Sequence, residues 1–260
     1  AVAGLGVIGA ATHGFGIPDY LDGIRGSLDD YTWDQLQEIS LKIKAAETRS
    51  EAREIAKRYH LLDADGHIPY PCTKRVKLTN GLEVGAQLVG IRHDELLDGT
   101  GKAGLTFLTT NIVTDAQKMN ASHTNVGGWE KSKLRERLNS GDLWALLPAE
   151  LAGKIEPVEK MTDNQGGGKA GVPTATTDSV FLLSTTEIYG NLDSDGTQYE
   201  FYAAKGVTQD NYSVVEVSRD YWTRSTYKWD SEQFMVVTNS GEPFHSYAMN
   251  ITTTYFAWCF

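Results

Sequence analysis

The chain has 260 residues, of which 40% are hydrophobic and 22% charged, with a formal net charge of -10 and a pI near 5.1. That composition is ordinary for a globular protein, and the length fits one large domain or two small ones. The acidic balance opposes a general nucleic-acid binder and adsorption to an anionic membrane surface, and no apolar run approaches the ~20 residues of a membrane span.

Ala1 to Gly26 is rich in Gly, Ala and small apolar residues. It reads as a leader or linker, or as a segment that packs on a neighbouring subunit and so supports a homo-oligomer. A start at Ala1 rather than Met reads as a fragment or a processed product, which removes any targeting signal from view. Residues 27–73 then form a helical hairpin. Thr32 and Gln35 have capping-box spacing, and Trp33, Leu36, Ile39 and Ile43 follow at helical intervals. Ser50 starts the second helix, with Ala52, Ile55, Ala56 and Tyr59 on one face. Asp63-Ala64-Asp65-Gly66 opens like a calcium loop but lacks the remaining ligands and closing Glu, so a polar turn is expected.

From Lys74 the period changes to two. Thr79-Asn80-Gly81 between alternating segments predicts a hairpin. Strands follow over Ala86–Ile91 and Gly104–Leu108. His93-Asp94-Glu95 has the residue types of acid/base chemistry, but its loop setting predicts a solvated cluster. Helices are expected after Trp129 and through Leu151 to Ile155. Asn164 to Lys169 is a loop without phosphate-loop spacing. Val180 to Ser184 reads as a buried strand, and Thr185 as the cap of a short helix. Asp193-Ser194-Asp195-Gly196 is a weak metal motif. The two cysteines, Cys72 and Cys259, exclude a disulfide framework; two free thiols are favoured over one long-range bridge, and no Cys/His zinc spacing occurs.

Asp220 to Phe260 concentrates the rings. Eleven of the chain's 26 aromatics fall in these 41 residues. Some must be core; the rest are interleaved with Ser, Thr, Asn and His, as in a binding surface.

Three groups of landmarks carry a resemblance: Asn125-Val126-Gly127-Gly128-Trp129 with Ser132, Leu134, Arg135 and Leu138; Thr177 to Ser184 with Glu187 and Gly190; and Tyr221-Trp222-Thr223-Arg224-Ser225 with Gly241. Over about Tyr31 to Phe260 the chain resembles a bacterial and phage surface-domain family of unknown function. It departs from the family pattern at Thr253 to Trp258, where a Gly and a Pro are absent. The resemblance implies an α+β, C-type lectin-like domain over 74–260, with a mixed, mainly antiparallel sheet and flanking helices, preceded by the hairpin. The same broad fold serves diversity-generating retroelement variable proteins and formylglycine-generating enzymes.

The function implied is a non-enzymatic adhesin or receptor-binding domain on a bacterial cell surface or phage virion, a diversified variable protein being one form of it. Its partner would be a cell-surface protein or glycan, without nucleic acid, membrane insertion, metal or cofactor. A structural subunit or tip domain of a fibre or pilus is the alternative, ahead of an enzyme. Glu242-Pro243-Phe244 and Lys228-Trp229-Asp230 only partly echo the calcium-dependent sugar motifs of lectins. In the family fold the segment from Ser225 to Thr254 loops out of the sheet and returns. That exposes Thr226, Tyr227 and Trp229 on one side and Phe244, His245, Tyr247, Asn250 and Thr252 on the other. Trp222, Val236 and Trp258 are expected in one buried sheet, with Arg224 bonded beside it.

Overall fold

The computed structural model describes residues 27–260 apart from Ser194 and Glu216, so the leader over 1–26 lies outside the described residues. The first elements are helices α1 (Trp33–Ala45) and α2 (Arg49–Arg58) and strands β1 (Thr73–Lys77), β2 (Glu83–Ile91) and β3 (Leu105–Thr109). Helices α3 (Lys133–Ser140) and α4 (Ala149–Ala152) lead to strands β4 (Val158–Thr162) and β5 (Thr174–Asp178). Short helices α5 (Thr185–Tyr189) and α6 (Glu200–Ala203) precede strands β6 (Tyr221–Thr226), β7 (Gln233–Val237), β8 (Pro243–Tyr247) and β9 (Ala257–Cys259). The class is α+β, and every ladder between named strands is antiparallel.

Local chemistry explains the first elements. Thr32 and Gln35 satisfy one another's backbone N–H groups and start α1. Helix α2 starts slightly before Ser50, because Thr48 accepts from the Glu51 amide. Gly81, at φ +88°, turns the β1–β2 hairpin, where Asn80 Oδ1 accepts from Leu82 N. A side chain would be strained at that φ.

The main sheet has the order β1-β2-β3-β9. Trp33 of α1 meets Phe107, Trp258 and Phe260 edge-on, at 6.0, 6.3 and 5.7 Å between ring centroids. Ser40 Oγ donates to the Phe260 carbonyl at 2.7 Å. The helical hairpin therefore shares one buried core with the sheet.

Strands β6-β7-β8 form a separate sheet, and β4-β5 a two-stranded ribbon. Trp222, Val236 and Trp258 are all buried, but not in one sheet: Trp222 pairs with Val236 across β6–β7, whereas Trp258 pairs with Phe107. Val180–Ser184 is buried without being a strand. Only Phe181 bridges to Ala257, while the Leu182 carbonyl accepts from Arg224 Nη1 and the Leu183 carbonyl from Arg224 N. The helix after Pro148 stops at Ala152, short of Ile155. The cap of α5 is Ser184, one residue before Thr185.

Candidate ligand-binding face

Two buried polar centres hold the elements that present the C-terminal rings. The first is built on Glu187. Ser184 and Glu187 form the capping box of α5, and the same carboxylate then binds Arg224 at 2.5 and 2.9 Å and Lys160 at 2.6 Å. Lys160 Nζ also meets Asp94 at 2.5 Å. Arg224 spends its remaining donors on Thr162 Oγ1 and the carbonyls of Leu182, Met161 and Asp195. Such buried ions cost too much unless paired and fully bonded; here each has partners on other elements, so β4, α5 and β6 are locked together.

Burial alone would raise Asp94, but the Lys160 ammonium and then His93 outweigh it and hold the carboxyl below its usual range. Glu187 is lowered in the same way, against burial, by Arg224 and Lys160. The loop triplet His93-Asp94-Glu95 is therefore a solvated cluster only in part: Glu95 is exposed, whereas Asp94 is 3% exposed.

The second centre is Asn125, fully buried. Its Nδ2 donates to the carbonyls of Asp230 at 2.8 Å and Gln233 at 2.7 Å, with that of Tyr227 at 3.3 Å. Its Oδ1 accepts from Gly167 N at 2.7 Å. Gly166 has φ +59°, and a Cβ there would stand 1.9 Å from the Asn125 carbonyl oxygen. One side chain thus ties the loop after β3, the β4–β5 loop and the β6–β7 loop together, and the last of these carries Trp229.

The structure brings most of the sequence-predicted residues to the β6–β7 loop and the edge strand β8. Trp229 is 74% exposed, Phe244 50% and Tyr247 43%; Asn250 is exposed, and Tyr227 and His245 are half-buried. The His245 ring is stacked between Tyr227, at 4.0 Å, and Phe244, at 4.4 Å. His123, from the loop after β3, meets Tyr247 edge-on at 5.4 Å. Asn250 Nδ2 donates to Ser246 Oγ at 3.0 Å. Strand β8 pairs only with β7, so its outer edge has no ladder partner among the described residues.

Two predicted residues do not join this face. Thr226 and Thr252 are 5% and 8% exposed, because Thr226 is still paired in β6 opposite Phe234 and Thr252 bridges to Gln117. Trp229 stands apart from the ring stack; its neighbour is Lys228, whose Nζ lies 5.8 Å from the indole.

Three ligand-type atoms, from His93, Asp94 and Glu187, lie within 4.8 Å of one another. The Lys160 ammonium already stands between the two carboxylates, where a cation would sit. Three of the four aspartates of the two Asp-x-Asp-Gly turns serve the backbone and neighbouring loops. Asp63 Oδ1 accepts from His67 N, Asp193 accepts from Thr185 Oγ1, and Asp195 Oδ1 accepts from Asp163 N. Both cysteines are free and buried, and burial pushes the Cys72 thiol up to about 12.

Sequence reasoning placed Arg224 beside the sheet but missed Lys160, Asp94 and Asn125 as centres. The Ser184–Glu187 capping spacing was a usable signal for the first centre; nothing local marked the partners that tertiary structure supplies.

The fold and site define an α+β domain that carries aromatic side chains on an exposed sheet edge and the loop beside it. Residues 103–254, more than half of the chain, match the family described as a domain of unknown function, DUF6273, and the chain belongs to that family. Neither a curated protein nor a solved structure matches it. No helix among the described residues is long and apolar enough to cross a membrane.

Proposed function

We propose that this is a non-enzymatic ligand-binding domain of C-type lectin-like fold, displayed on a bacterial or phage surface. It takes a protein or glycan partner on Tyr227, Trp229, Phe244, His245, Tyr247 and Asn250. The observation that carries the reading is the exposure of Trp229, Phe244 and Tyr247 on a loop and edge strand fixed from behind by Asn125. Exposed rings gathered on one edge strand and the loop beside it favour an interaction surface, and aromatic anchors dominate interface energetics. The lectin-like aspect is supported by the excursion between β6 and β9. It leaves and returns side by side, with Trp222 N donating to the Thr253 carbonyl at 3.0 Å and Thr253 N to that of Asp220 at 3.2 Å.

The test is a screen of the purified domain against arrays of cell-surface proteins and glycans, with Tyr227, Trp229, Phe244 and Tyr247 each changed to Ala. Each change should weaken binding by roughly 2 kcal/mol, as at aromatic hot spots, with little change in melting temperature. Retention of full affinity by the quadruple variant would refute the reading.

A further inference from the structure

The buried Lys160–Asp94 pair is placed for chemistry as well as for charge. Lys160, at the centre of β4, sets its Nζ 2.5 Å from Asp94 Oδ1, 2.6 Å from Glu187 Oε1 and 3.1 Å from the Tyr199 hydroxyl. Those are three acceptors for three ammonium protons. The lysine and aspartate side chains are 3% and 1% exposed, and the centre of the Phe181 ring lies 4.2 Å from Nζ. Apart from Lys160, the donors to the Asp94 carboxylate are neutral. The Tyr199 hydroxyl donates to Oδ1 at 2.9 Å, Thr106 Oγ1 to Oδ2 at 2.6 Å and Cys259 Sγ to Oδ2 at 3.4 Å.

Burial is the largest influence on both ions and favours their neutral forms. The facing charges outweigh it, so the ion pair is the resting state. The neutral pair differs from it by one proton moved across a 2.5 Å contact. An amine and a carboxylic acid held together away from water are the reactants of an amide condensation, and fixing them in one site removes the entropic barrier to their meeting. The product replaces two buried charges by one neutral amide, which removes the desolvation cost of the ions. A step taken once per chain needs only a small population of the neutral pair.

We propose that Lys160 and Asp94 condense into an intramolecular amide, a covalent cross-link between β4 and the segment that follows β2. Nζ attacks Cγ, the Cγ–Oδ1 bond breaks, and Oδ1 departs as water. Of the three ammonium protons, one reaches Oδ1 across the direct contact. A second passes through Tyr199, which takes it from Nζ and gives its own proton to Oδ1. The third remains as the amide N–H, donating to Glu187 as before. Oδ2 carries the charge of the tetrahedral intermediate beside the Thr106 hydroxyl and becomes the amide carbonyl. Nothing is oxidised or reduced, and no co-reactant is used. Glu187 is the poorer acyl partner, because Arg224 clamps its carboxylate at 2.5 and 2.9 Å and holds it as an anion.

The test weighs the intact chain under denaturing conditions by mass spectrometry and then sequences its peptides. The expected mass is that of the sequence less one water, with a branched peptide joining Asp94 to Lys160 and no tryptic cleavage after Lys160. Lys160→Arg and Asp94→Ala should each keep the full mass of their sequences. Tyr199→Phe retains the ring that stacks on His93. Followed from fresh synthesis, it should link at least tenfold more slowly, with melting curves to show that it folds. The proposal is overturned if the parent keeps its full sequence mass after prolonged incubation at neutral pH, or if the branch joins Lys160 to Glu187. It is also overturned if the lost water maps to an Asp-Gly step such as Asp98-Gly99, where a succinimide forms. A Tyr199→Phe variant that links at the parent's rate overturns the relay.

Discussion

Replacing Asn125 by Ala should loosen three loops at once. The side chain makes three bonds of 2.7–2.8 Å, to the Asp230 and Gln233 carbonyls and from Gly167 N. A net side-chain bond contributes about 1 kcal/mol, and stranding a buried partner costs about 1–3 kcal/mol. The Gln233 carbonyl keeps a second donor, Tyr227 N, so its loss is cushioned; the Asp230 carbonyl has no such substitute among the described residues. The sum is a loss of roughly 3–5 kcal/mol, concentrated in the loops rather than in the main sheet. Urea unfolding measures the total, and amide exchange locates it. Gly167 and the amides of 227–233 should lose protection, while Thr106 to Leu108 in β3 should keep theirs until global unfolding. Asn125→Asp is the discriminating companion. It preserves the acceptor for Gly167 but turns an anion toward three carbonyls, so it should be at least as damaging as Ala. A loss under about 1 kcal/mol with unchanged protection at Gly167 would refute the assignment of Asn125 as the tie between these loops.

Lys160→Met should destabilise the fold by roughly 3–5 kcal/mol, because Asp94 and Glu187 would be left buried without their shared cation; chemical denaturation reads this, and an unchanged midpoint would contradict it. Asp195 is pushed up to about 6 from 3.8, chiefly by burial, with Arg224 opposing the rise. Its folded state binds the proton more tightly than the unfolded chain, so its contribution to stability falls as pH rises from about 4 to about 6 and stays unfavourable above that. Asp195→Asn keeps an acceptor for Asp163 N and should be the more stable form at pH 7, by about 3 kcal/mol, with the advantage vanishing near pH 4. His93, lowered chiefly by burial, works in the opposite sense in the same range, so the difference between variant and parent is the quantity to measure. Chelation should leave the melting temperature unchanged, since Lys160 fills the cation position beside Asp94 and Glu187; a drop of several degrees would show that a metal supports the fold.

The elements legible in the sequence are those whose information is local. The Thr32–Gln35 capping box and the Asn80-Gly81 turn need only their own neighbours, and both appear where the pattern put them. The β4–β5 ribbon escaped because all but one of its buried positions are polar. Val158, Lys160 and Thr162 do alternate inward, but a lysine at the central position makes the run read as surface. Thr176 and Asp178 disguise β5 in the same way. Val180–Ser184 fails in the opposite direction. It is as apolar as a buried strand, yet much of its backbone bonding is to Arg224 and Ala257 rather than to a ladder. Within the candidate face, Trp229, Phe244 and Tyr247 were readable as exposed rings in polar company. The burial of Thr226 and Thr252 was not, because it depends on a strand end and on a bridge to Gln117.

The placement of β9 beside β3 sets a timetable for synthesis. Phe107 is in register with Trp258, so the main sheet lacks its last strand until roughly 150 further residues have been made. At about 5–20 residues per second, that delay is on the order of ten to thirty seconds. Throughout it, the nascent chain carries α1 and the first three strands with one side of β3 bare and Trp33 lacking two of its three ring partners. An open strand edge next to uncovered rings invites pairing with another copy. Expression yield should therefore follow how long ribosomes dwell between codons 110 and 257, and a slow-codon stretch there should cost more soluble protein than one placed before β3.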